Sequence, residues 1–209
     1  HAYYQYLIEY NKITNLTRIT EKNEVFYKHF FDSLTLAKSV DLNAYSTLCD
    51  MGSGAGFPSI PLKIVFPHLK ITIVDSLNKR ITFLSNLVDK LNLQDVELVH
   101  DRVENFAISH QMHFDLVTAR ALGHLSLITE MGMPMLKKAG YFIGLKAKEF
   151  EDELSQAKSA ITTLGGQIEQ VHEMSLPHDY GYRVHILIRK TRHIKGYPRS
   201  YVNMTKKPL

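Results

Sequence analysis

Three glycines at alternate positions, Gly52, Gly54 and Gly56, follow an apolar run that ends near Asp50. Glycine adopts positive φ without strain and has no Cβ to keep a ligand away from the backbone. The apolar run predicts a buried strand, and the apolar-rich segment that begins at Pro58 predicts a helix. In an open α/β sheet, nucleotides bind at such a turn, at the carboxyl end of the first strand. A plain connecting turn is the alternative.

The glycine spacing excludes two common nucleotide sites. A dinucleotide fingerprint, G-x-G-x-x-G, needs its third glycine where this chain has Phe57. A P-loop needs a Gly-Lys-Ser/Thr sequence after the turn, and none follows. The G-x-G-x-G spacing, with Asp50 two residues ahead, resembles motif I of the Rossmann-type methyltransferases that bind S-adenosylmethionine.

A second acid ends the next predicted strand. Asp75 closes a β-branched run 23 residues after Gly52. A carboxylate at this distance can accept hydrogen bonds from both hydroxyls of a ribose. The alternative is an N-cap or first-turn charge for the following helix, and the two roles are compatible.

Four further polar side chains are predicted to lie near the same edge of the sheet. Glu104 follows the third strand, where an acid can read the edge of an adenine; a solvent-exposed first-turn acid is the alternative. Arg120 ends the fourth strand and Lys146 the fifth, positions typical of a phosphate or carboxylate clamp, with a simple ion pair as the alternative. His29 lies three residues before Asp32 on a predicted helix, and a surface or half-buried helix residue is its alternative interpretation.

A regular alternation of strand and helix patterns begins near Thr47 and positions these residues. The predicted strands are 46–51, 70–75, 95–100, 114–119, 139–146, 167–173 and 183–190. The predicted helices include one that ends near residue 12 and others at about 21–38, 78–92 and 149–164. This alternation predicts a parallel, doubly wound α/β sheet. A loop rather than a helix joins the last two strands, which predicts an antiparallel hairpin at the sheet edge.

Composition restricts the class of protein. A chain of 209 residues with 44% hydrophobic residues can form one domain with a decorated end. Cys49 is the only cysteine, so no intramolecular disulfide can form, and we expect a cytoplasmic protein. No apolar run approaches the roughly 18 residues of a membrane span, and the scattered histidines have no zinc-site spacing. Because the chain begins at His1 rather than Met, we expect a trimmed N-terminus.

Positive charge is concentrated at one end of the chain. The net charge is +4, but residues 180–209 hold eight Lys or Arg and no acid, which leaves 17 basic and 21 acidic residues elsewhere. Such asymmetry favours a polyanionic partner, most simply a nucleic acid. The alternative is a solvated basic tail.

Over nearly its full length the chain resembles the GidB/RsmG family of bacterial methyltransferases, which modify N7 of a guanine in 16S ribosomal RNA with S-adenosyl-L-methionine. The resemblance is carried by residues 11–17, 28–33, 50–58, 75–80, 118–121 and 145–146. It implies a class I, Rossmann-like methyltransferase fold, in which a seven-stranded, mostly parallel sheet has an antiparallel edge strand. It also implies three regions: an N-terminal helical extension at 1–44, a methyltransferase domain at 45–190 and a basic tail at 191–209.

The resemblance also assigns roles to residues at the sheet edge. The cofactor-binding residues it implies are Gly52, Gly54, Gly56, Phe57, Asp75, Val103, Glu104 and Arg120. It places Arg120 at the active-site edge. We predict Arg120, Lys146 and His29 as the catalytic residues, on the hypothesis that Arg120, Lys146 and the tail hold phosphates and that either His29 or Asn15 orients the base. We expect small-subunit ribosomal RNA or a ribosomal particle as the partner, no DNA, no membrane, no metal and a monomeric protein.

Two segments depart from the family pattern. Ser200–Asn203 replaces a Pro-Gly turn expected between Tyr197-Pro198-Arg199 and the final Lys-Pro-Leu, and Gly123-His124 stands where the family often has Ala-Arg. We expect these departures to affect RNA contacts more than the fold or the cofactor.

The implied chemistry needs few catalytic groups. Guanine N7 carries a lone pair and no proton, so no general base is required, and catalysis is mainly positioning and desolvation. Two other functions remain compatible with the sequence. One is a methyltransferase of this fold acting on a protein or small molecule, and the other is a non-catalytic RNA-binding module. A nicotinamide oxidoreductase is less favoured because the glycine spacing is wrong.

Overall fold

The computed structural model describes residues 1–209, and a seven-stranded sheet lies at its centre. The strands are β1 (Thr47–Met51), β2 (Lys70–Asp75), β3 (Val96–His100), β4 (Phe114–Arg120), β5 (Leu136–Lys146), β6 (Gly166–Ser175) and β7 (Tyr182–Lys190). Their order in the sheet is β3-β2-β1-β4-β5-β7-β6. Strands β1 to β5 pair in parallel, and β7 runs antiparallel to both β5 and β6. The predicted doubly wound sheet with a terminal hairpin is confirmed; the antiparallel strand β7 lies one place in from the edge, with β6 outside it.

Nine α-helical segments surround the sheet. They are α1 (Ala2–Thr14), α2 (Lys22–Val25), α3 (Asp32–Leu34), α4 (Ser59–Val65), α5 (Asn78–Lys90), α6 (Val103–Ser109), α7 (Leu125–Gly132), α8 (Glu151–Thr163) and α9 (Tyr201–Lys206). Short 3-10 turns lie at Thr35–Lys38, Leu42–Ala44, Met133–Met135 and Pro177–Asp179. None of the helices combines the length and apolarity that a membrane span requires.

Successive residues of the central strands face opposite sides of the sheet, so each side has its own core. On one side α6, α7, α8 and α9 bury side chains that include Phe106, Ile128, Ile161 and Met204. The other side is covered by α1, α4 and α5, which bury side chains that include Leu7, Ile60 and Phe83. Each such burial stabilises the fold by roughly 1.5–3 kcal/mol. Residues before β1 therefore share a core with the sheet.

The helix predicted at about 21–38 is confirmed in extent, because residues 22–38 are helical without a break, but it is not a regular α-helix. The chain forms α2, a π-helical turn at Phe26–Phe31, α3 and then a 3-10 turn. The N-cap is Glu21, whose side chain accepts the Glu24 N–H at 2.8 Å. We attribute the π-helical turn to contacts outside the segment, because Tyr27 packs on Tyr180 while His29 packs on Phe57. Ser33 Oγ also donates to the His29 carbonyl at 2.6 Å, a type of bond that distorts helices.

Candidate active site

The turn after β1 has the backbone that its glycines predict. Gly52, Gly54 and Gly56 all have positive φ, at 68°, 62° and 94°. A Cβ on Gly52 would lie 2.5 Å from Leu122 Cδ1, and one on Gly56 would lie 2.7 Å from Ile60 Cγ1. Both positions therefore require glycine for conformation and for space.

Helix α1 packs against the glycine turn through Tyr3. The Tyr3 hydroxyl donates to the Ala55 carbonyl, and the Tyr3 ring stacks on Phe57 with centroids 5.2 Å apart. Phe57 is buried, and the His29 ring stacks on it at 4.7 Å. Gly54, Gly56 and Phe57 thus shape the turn and do not line either cavity described below.

A cavity of about 260 Å³, here named the β2 cavity, opens beside the carboxyl end of β2. It brings together four of the residues predicted to bind a cofactor: Gly52, Asp75, Val103 and Glu104. Its other lining residues are Val74, Ser76, Arg80, Arg102, Leu122, Leu127, Met131 and Tyr201. The cavity combines two buried carboxylates with apolar walls.

Both acids of the β2 cavity have protein partners. Asp75 accepts the Leu77 N–H at 2.9 Å and an Arg80 guanidinium N–H at 3.2 Å. Asp75 therefore fixes the turn before α5, but the N-cap is Leu77 and the first turn holds no acid, so the N-cap or first-turn alternative for Asp75 is wrong. Each carboxylate oxygen keeps a lone pair for a further donor. Glu104 accepts from Arg102 and is only 7% exposed, so the solvent-exposed alternative for Glu104 is wrong.

Asp50 is an incompletely satisfied acid beneath the glycine turn. It is fully buried, and its Oδ2 accepts the Ser59 N–H at 3.3 Å. Its Oδ1 has no hydrogen-bond partner, and neither has the buried Ser53 Oγ. Burial raises the pKa of Asp50 to about 7, against the lowering effect of the Ser59 hydrogen bonding. Buried acceptors without partners are rare in folded proteins and call for an explanation.

A second cavity of about 400 Å³, here named the β4 cavity, lies at the carboxyl ends of β4 and β5. All three residues predicted to be catalytic, His29, Arg120 and Lys146, line it. Its charged lining residues are Lys28, Asp32, Arg120, Lys146 and Arg183. The lining therefore holds four cationic side chains and one carboxylate, an excess of positive charge.

Asp32 is shared by two guanidinium groups. Its Oδ2 lies 3.2 Å from Arg120 Nη1, and its Oδ1 lies 2.9 Å from Arg183 Nε. His29 and Asp32 therefore meet through Arg120 rather than directly. Sequence reasoning missed Arg183. The available signal was the predicted hairpin, because the start of an antiparallel β7 must lie at the edge where the parallel strands end.

His29 is locked in one neutral form. Its Nδ1 lies 3.0 Å from Arg120 Nη2, and its Nε2 lies 3.0 Å from Thr17 Oγ1. Because a guanidinium can only donate, Nδ1 accepts and Nε2 carries the proton. Burial, followed by the charge of Arg120, lowers the pKa of His29 to about 4. His29 is 9% exposed, so its interpretation as a surface residue is wrong.

Lys146 is engaged within the protein. Its Nζ donates to Glu153 Oε1 at 2.6 Å and to the Gly123 carbonyl at 2.8 Å. Glu153 also accepts the Leu125 N–H at the start of α7. Lys146 thereby ties the loop after β4 to α8, and in this arrangement the predicted phosphate clamp is an ion pair.

The C-terminal segment packs on the domain. Arg199 Nε and Nη2 donate to the buried carboxylate of Glu130 at 2.7 and 2.6 Å. The departing segment Ser200–Asn203 begins α9, and its Tyr201 lines the β2 cavity with Arg102 4.6 Å from the ring centroid. Sequence reasoning missed Tyr201, although Tyr201 and the buried Met204 lie three residues apart, as on one face of a helix.

A family model described as GidB, rRNA small subunit methyltransferase G, matches residues 1–180. The chain belongs to this family. A relative in Acholeplasma laidlawii is 51% identical over 100% of this chain and 90% of its own length, and one in Bacillus subtilis is 50% identical over 99% and 88%. Both are named ribosomal RNA small subunit methyltransferase G. The resemblance found in the sequence is confirmed.

Solved structures share the fold at low sequence identity. M. jannaschii TYW2 in complex with AdoMet has a TM-score of 0.63 at 14% identity, over 85% of this chain and 80% of that one. A 16S rRNA (adenine(1408)-N(1))-methyltransferase from Catenulisporales acidiphilia has a TM-score of 0.59 at 15% identity, over 78% and 93%. The predicted methyltransferase fold is confirmed.

Proposed function

We propose that this protein transfers a methyl group from S-adenosyl-L-methionine to N7 of a guanine in 16S ribosomal RNA. Family membership supports the reaction class. The arrangement of the two cavities supports separate binding sites for the cofactor and for the methyl acceptor. The segment after β4 separates the cavities: Ala121 lines the β4 cavity and Leu122 lines the β2 cavity. The β2 cavity is the cofactor side, and the β4 cavity is the acceptor side.

The residues of the β2 cavity fit the cofactor. Asp75 and Glu104 offer carboxylate oxygens to ribose hydroxyls and to the adenine edge, and Val103 and Leu122 offer apolar walls. The unpartnered Asp50 Oδ1 lies directly before the glycine turn but lines neither cavity, so the ammonium group of a bound amino acid moiety would reach it only if the turn moves. When bound, S-adenosylmethionine supplies an electrophilic methyl group on a sulfonium.

The observation that carries the choice of acceptor is that each potential base of the β4 cavity is engaged within the protein. Asp32 is ion-paired with two guanidinium groups, and the only lone pair of the His29 ring accepts from Arg120. The ring nitrogens of the buried His185 lie 2.7 Å from Ser39 Oγ and 3.4 Å from Thr35 Oγ1. An acceptor atom that must lose a proton needs a general base within hydrogen-bond reach. Guanine N7 has no proton to lose, so the site matches its chemistry.

The cationic side chains of the β4 cavity serve the RNA. Arg120 and Arg183 are held by Asp32, so their fixed N–H groups can meet phosphate oxygens without rearrangement. His29 is a positioning residue that orients Arg120, and Lys146 positions the loop between the cavities. The partner is small-subunit ribosomal RNA or a particle that contains it.

The test is transfer of labelled methyl from S-adenosylmethionine to small-subunit particles, or to ribosomal RNA, that lack the modification. A nucleoside digest identifies the product. We expect the label in 7-methylguanosine. Label in another nucleoside overturns the N7 assignment, and label only in protein or a metabolite overturns the RNA acceptor. Cofactor binding without transfer to any of them supports a non-catalytic module.

A further inference from the structure

A cluster of aromatic side chains lies beside the β4 cavity and takes no part in the sites above. The Tyr27 and Tyr180 rings stack with centroids 4.7 Å apart and planes 14° apart. His178 and Phe26 approach the Tyr27 ring edge-on, each at 5.1 Å. These four residues are named the aromatic platform. Phe26 is 52% exposed and His178 is exposed, while Tyr27 and Tyr180 are half-buried.

Two separate parts of the chain meet to build the aromatic platform. Phe26 and Tyr27 belong to the π-helical turn, and His178 and Tyr180 belong to the loop between β6 and β7. The same π-helical turn carries His29 inside the β4 cavity. The π-helical turn therefore directs His29 into the cavity and Tyr27 to the surface beside it. Such turns occur frequently at functional sites.

Cations connect the aromatic platform to the β4 cavity. Lys28 lines the cavity, and its Nζ lies 5.7 Å from the Tyr180 ring centroid. Lys28 also pairs with Glu24, but both side chains are part-exposed, and such pairs contribute little. Arg183 follows Tyr180 by three residues and lines the same cavity. The surface therefore places aromatic faces and positive charge side by side at the cavity mouth.

We propose that the aromatic platform stacks an unpaired nucleobase that neighbours the target guanine in the RNA. The nature of this ligand rests on the proposed function. Side chains cannot read the deep, narrow major groove of an A-form helix, where N7 lies, so an RNA methylated at N7 presents its guanine outside a regular helix, in a loop, a bulge or an end. Its neighbours then lose stacking partners, and aromatic side chains flanked by cations replace them. Lys28 lines the β4 cavity and lies beside the Tyr180 ring, so its ammonium group can meet the phosphate that joins the two nucleotides.

The experiment measures equilibrium binding of a short single-stranded RNA with one central guanine, in the absence of cofactor. A second set of RNAs replaces the nucleotide on either side of the guanine with an abasic site. The proteins are wild type, Tyr180→Ala, Tyr180→Phe and the control Tyr45→Ala. Tyr45 is a half-buried tyrosine that precedes β1 and so lies at the opposite edge of the sheet.

We expect Tyr180→Ala to weaken binding roughly 10-fold, because aromatic stacking contributes about 1–3 kcal/mol per base. Tyr180→Phe keeps the ring and should bind within about 2-fold of wild type, as should Tyr45→Ala, on the same stacking argument. One of the two abasic RNAs should bind wild type more weakly than the intact RNA, with no further loss in Tyr180→Ala. Unfolding temperatures of all variants identify any loss of binding that comes from misfolding.

The outcomes separate this inference from the proposed function. An abasic penalty that is equal in wild type and Tyr180→Ala overturns the aromatic platform, whether or not methyl transfer occurs. A stacking effect that depends on Tyr180, together with no 7-methylguanosine in the transfer assay, overturns the proposed reaction and keeps the binding site. Absence of measurable RNA binding by wild type overturns the platform and argues against an RNA substrate.

Discussion

The Nδ1 atom of His29 accepts a hydrogen bond from the Arg120 guanidinium over 3.0 Å, so the histidine can take up a proton only by breaking that bond. The pKa of His29 is about 4, lowered first by burial and then by the Arg120 charge. Between pH 4 and the ordinary histidine pKa of 6.5, the unfolded chain binds a proton that the folded chain does not. Stability contributed by neutral His29 is therefore present above pH 6.5 and is lost as the pH falls towards 4.

The first prediction compares wild type with His29→Gln in denaturant unfolding at pH 7.5 and pH 5. Wild type should lose about 2 kcal/mol more than the variant over this interval, the amount expected from linkage. His185, whose pKa is also lowered to about 4 by burial, titrates in both proteins and cancels in the comparison. Equal losses in the two proteins would show that His29 is not held neutral.

The second prediction concerns Arg120, which bridges His29 and Asp32. Arg120→Ala should reduce methyl transfer on the order of 100-fold, the scale expected when the reacting groups lose their alignment. Arg120→Lys should also be impaired, because one ammonium cannot reproduce the planar arrangement of guanidinium donors. Because Arg120 lines the β4 cavity and not the β2 cavity, cofactor affinity should change less than turnover. Turnover near wild type in Arg120→Ala would remove this residue from the acceptor site.

The third prediction concerns Asp50, whose pKa is raised by burial to about 7 in the folded protein. Between pH 4 and 7 the folded chain holds a proton that the unfolded chain has released, so stability falls as the pH rises through this window. On going from pH 5 to pH 8, cofactor-free wild type should lose roughly 2–3 kcal/mol more than Asp50→Asn.

Calorimetric titration with S-adenosylmethionine then tests the ligand role of Asp50. The Asn variant should bind the cofactor more weakly at pH 8, because it lacks the charge that would face an ammonium group. Identical pH dependence of stability in both proteins would contradict the raised pKa. Unchanged cofactor affinity would instead mean that the unpartnered Oδ1 atom has no role in cofactor binding.

Much of the fold could be predicted because its determinants are local. The strand at 70–75 is a continuous β-branched run that ends in Asp75. The three alternating glycines predict a turn from their own conformational preference, whatever the rest of the chain does. Once strands and helices alternate, the carboxyl edges of parallel strands bring Gly52, Asp75 and Arg120 to the same side of the sheet. These positions follow from the sequence pattern and the handedness of the connections.

The parts that could not be predicted depend on contacts between distant segments. The π turn at Phe26–Phe31 exists because Tyr27 packs on Tyr180 while His29 packs on Phe57. No helical periodicity within the segment indicates these partners. Likewise, the position of Tyr201 in the β2 cavity depends on an ion pair between Arg199 and Glu130, which are 69 residues apart. The predicted role of the tail in RNA binding did not anticipate this packing.

The fourth prediction uses that ion pair. Arg199→Ala leaves the buried Glu130 carboxylate without its partner and should destabilise the protein by about 3–5 kcal/mol. Because the pair anchors the segment that carries Tyr201, cofactor affinity should also fall, while Tyr201→Ala should weaken cofactor binding with less loss of stability. Cofactor affinity unchanged in both variants would show that the tail packs beside the cavity without contacting the cofactor.

The final prediction separates the tail's packing from its charge. Lys206 and Lys207 are exposed and form no ion pair within the fold, whereas the charge of Arg199 is already neutralised by Glu130. If the lysines contact phosphates, Lys206→Ala with Lys207→Ala should lower the magnitude of the salt-dependence slope of RNA binding by about 1–2, since each contact releases roughly one counterion. The double lysine variant should keep wild-type cofactor affinity, because neither lysine lines the β2 cavity. An unchanged slope in the double variant would exclude Lys206 and Lys207 from the RNA contact.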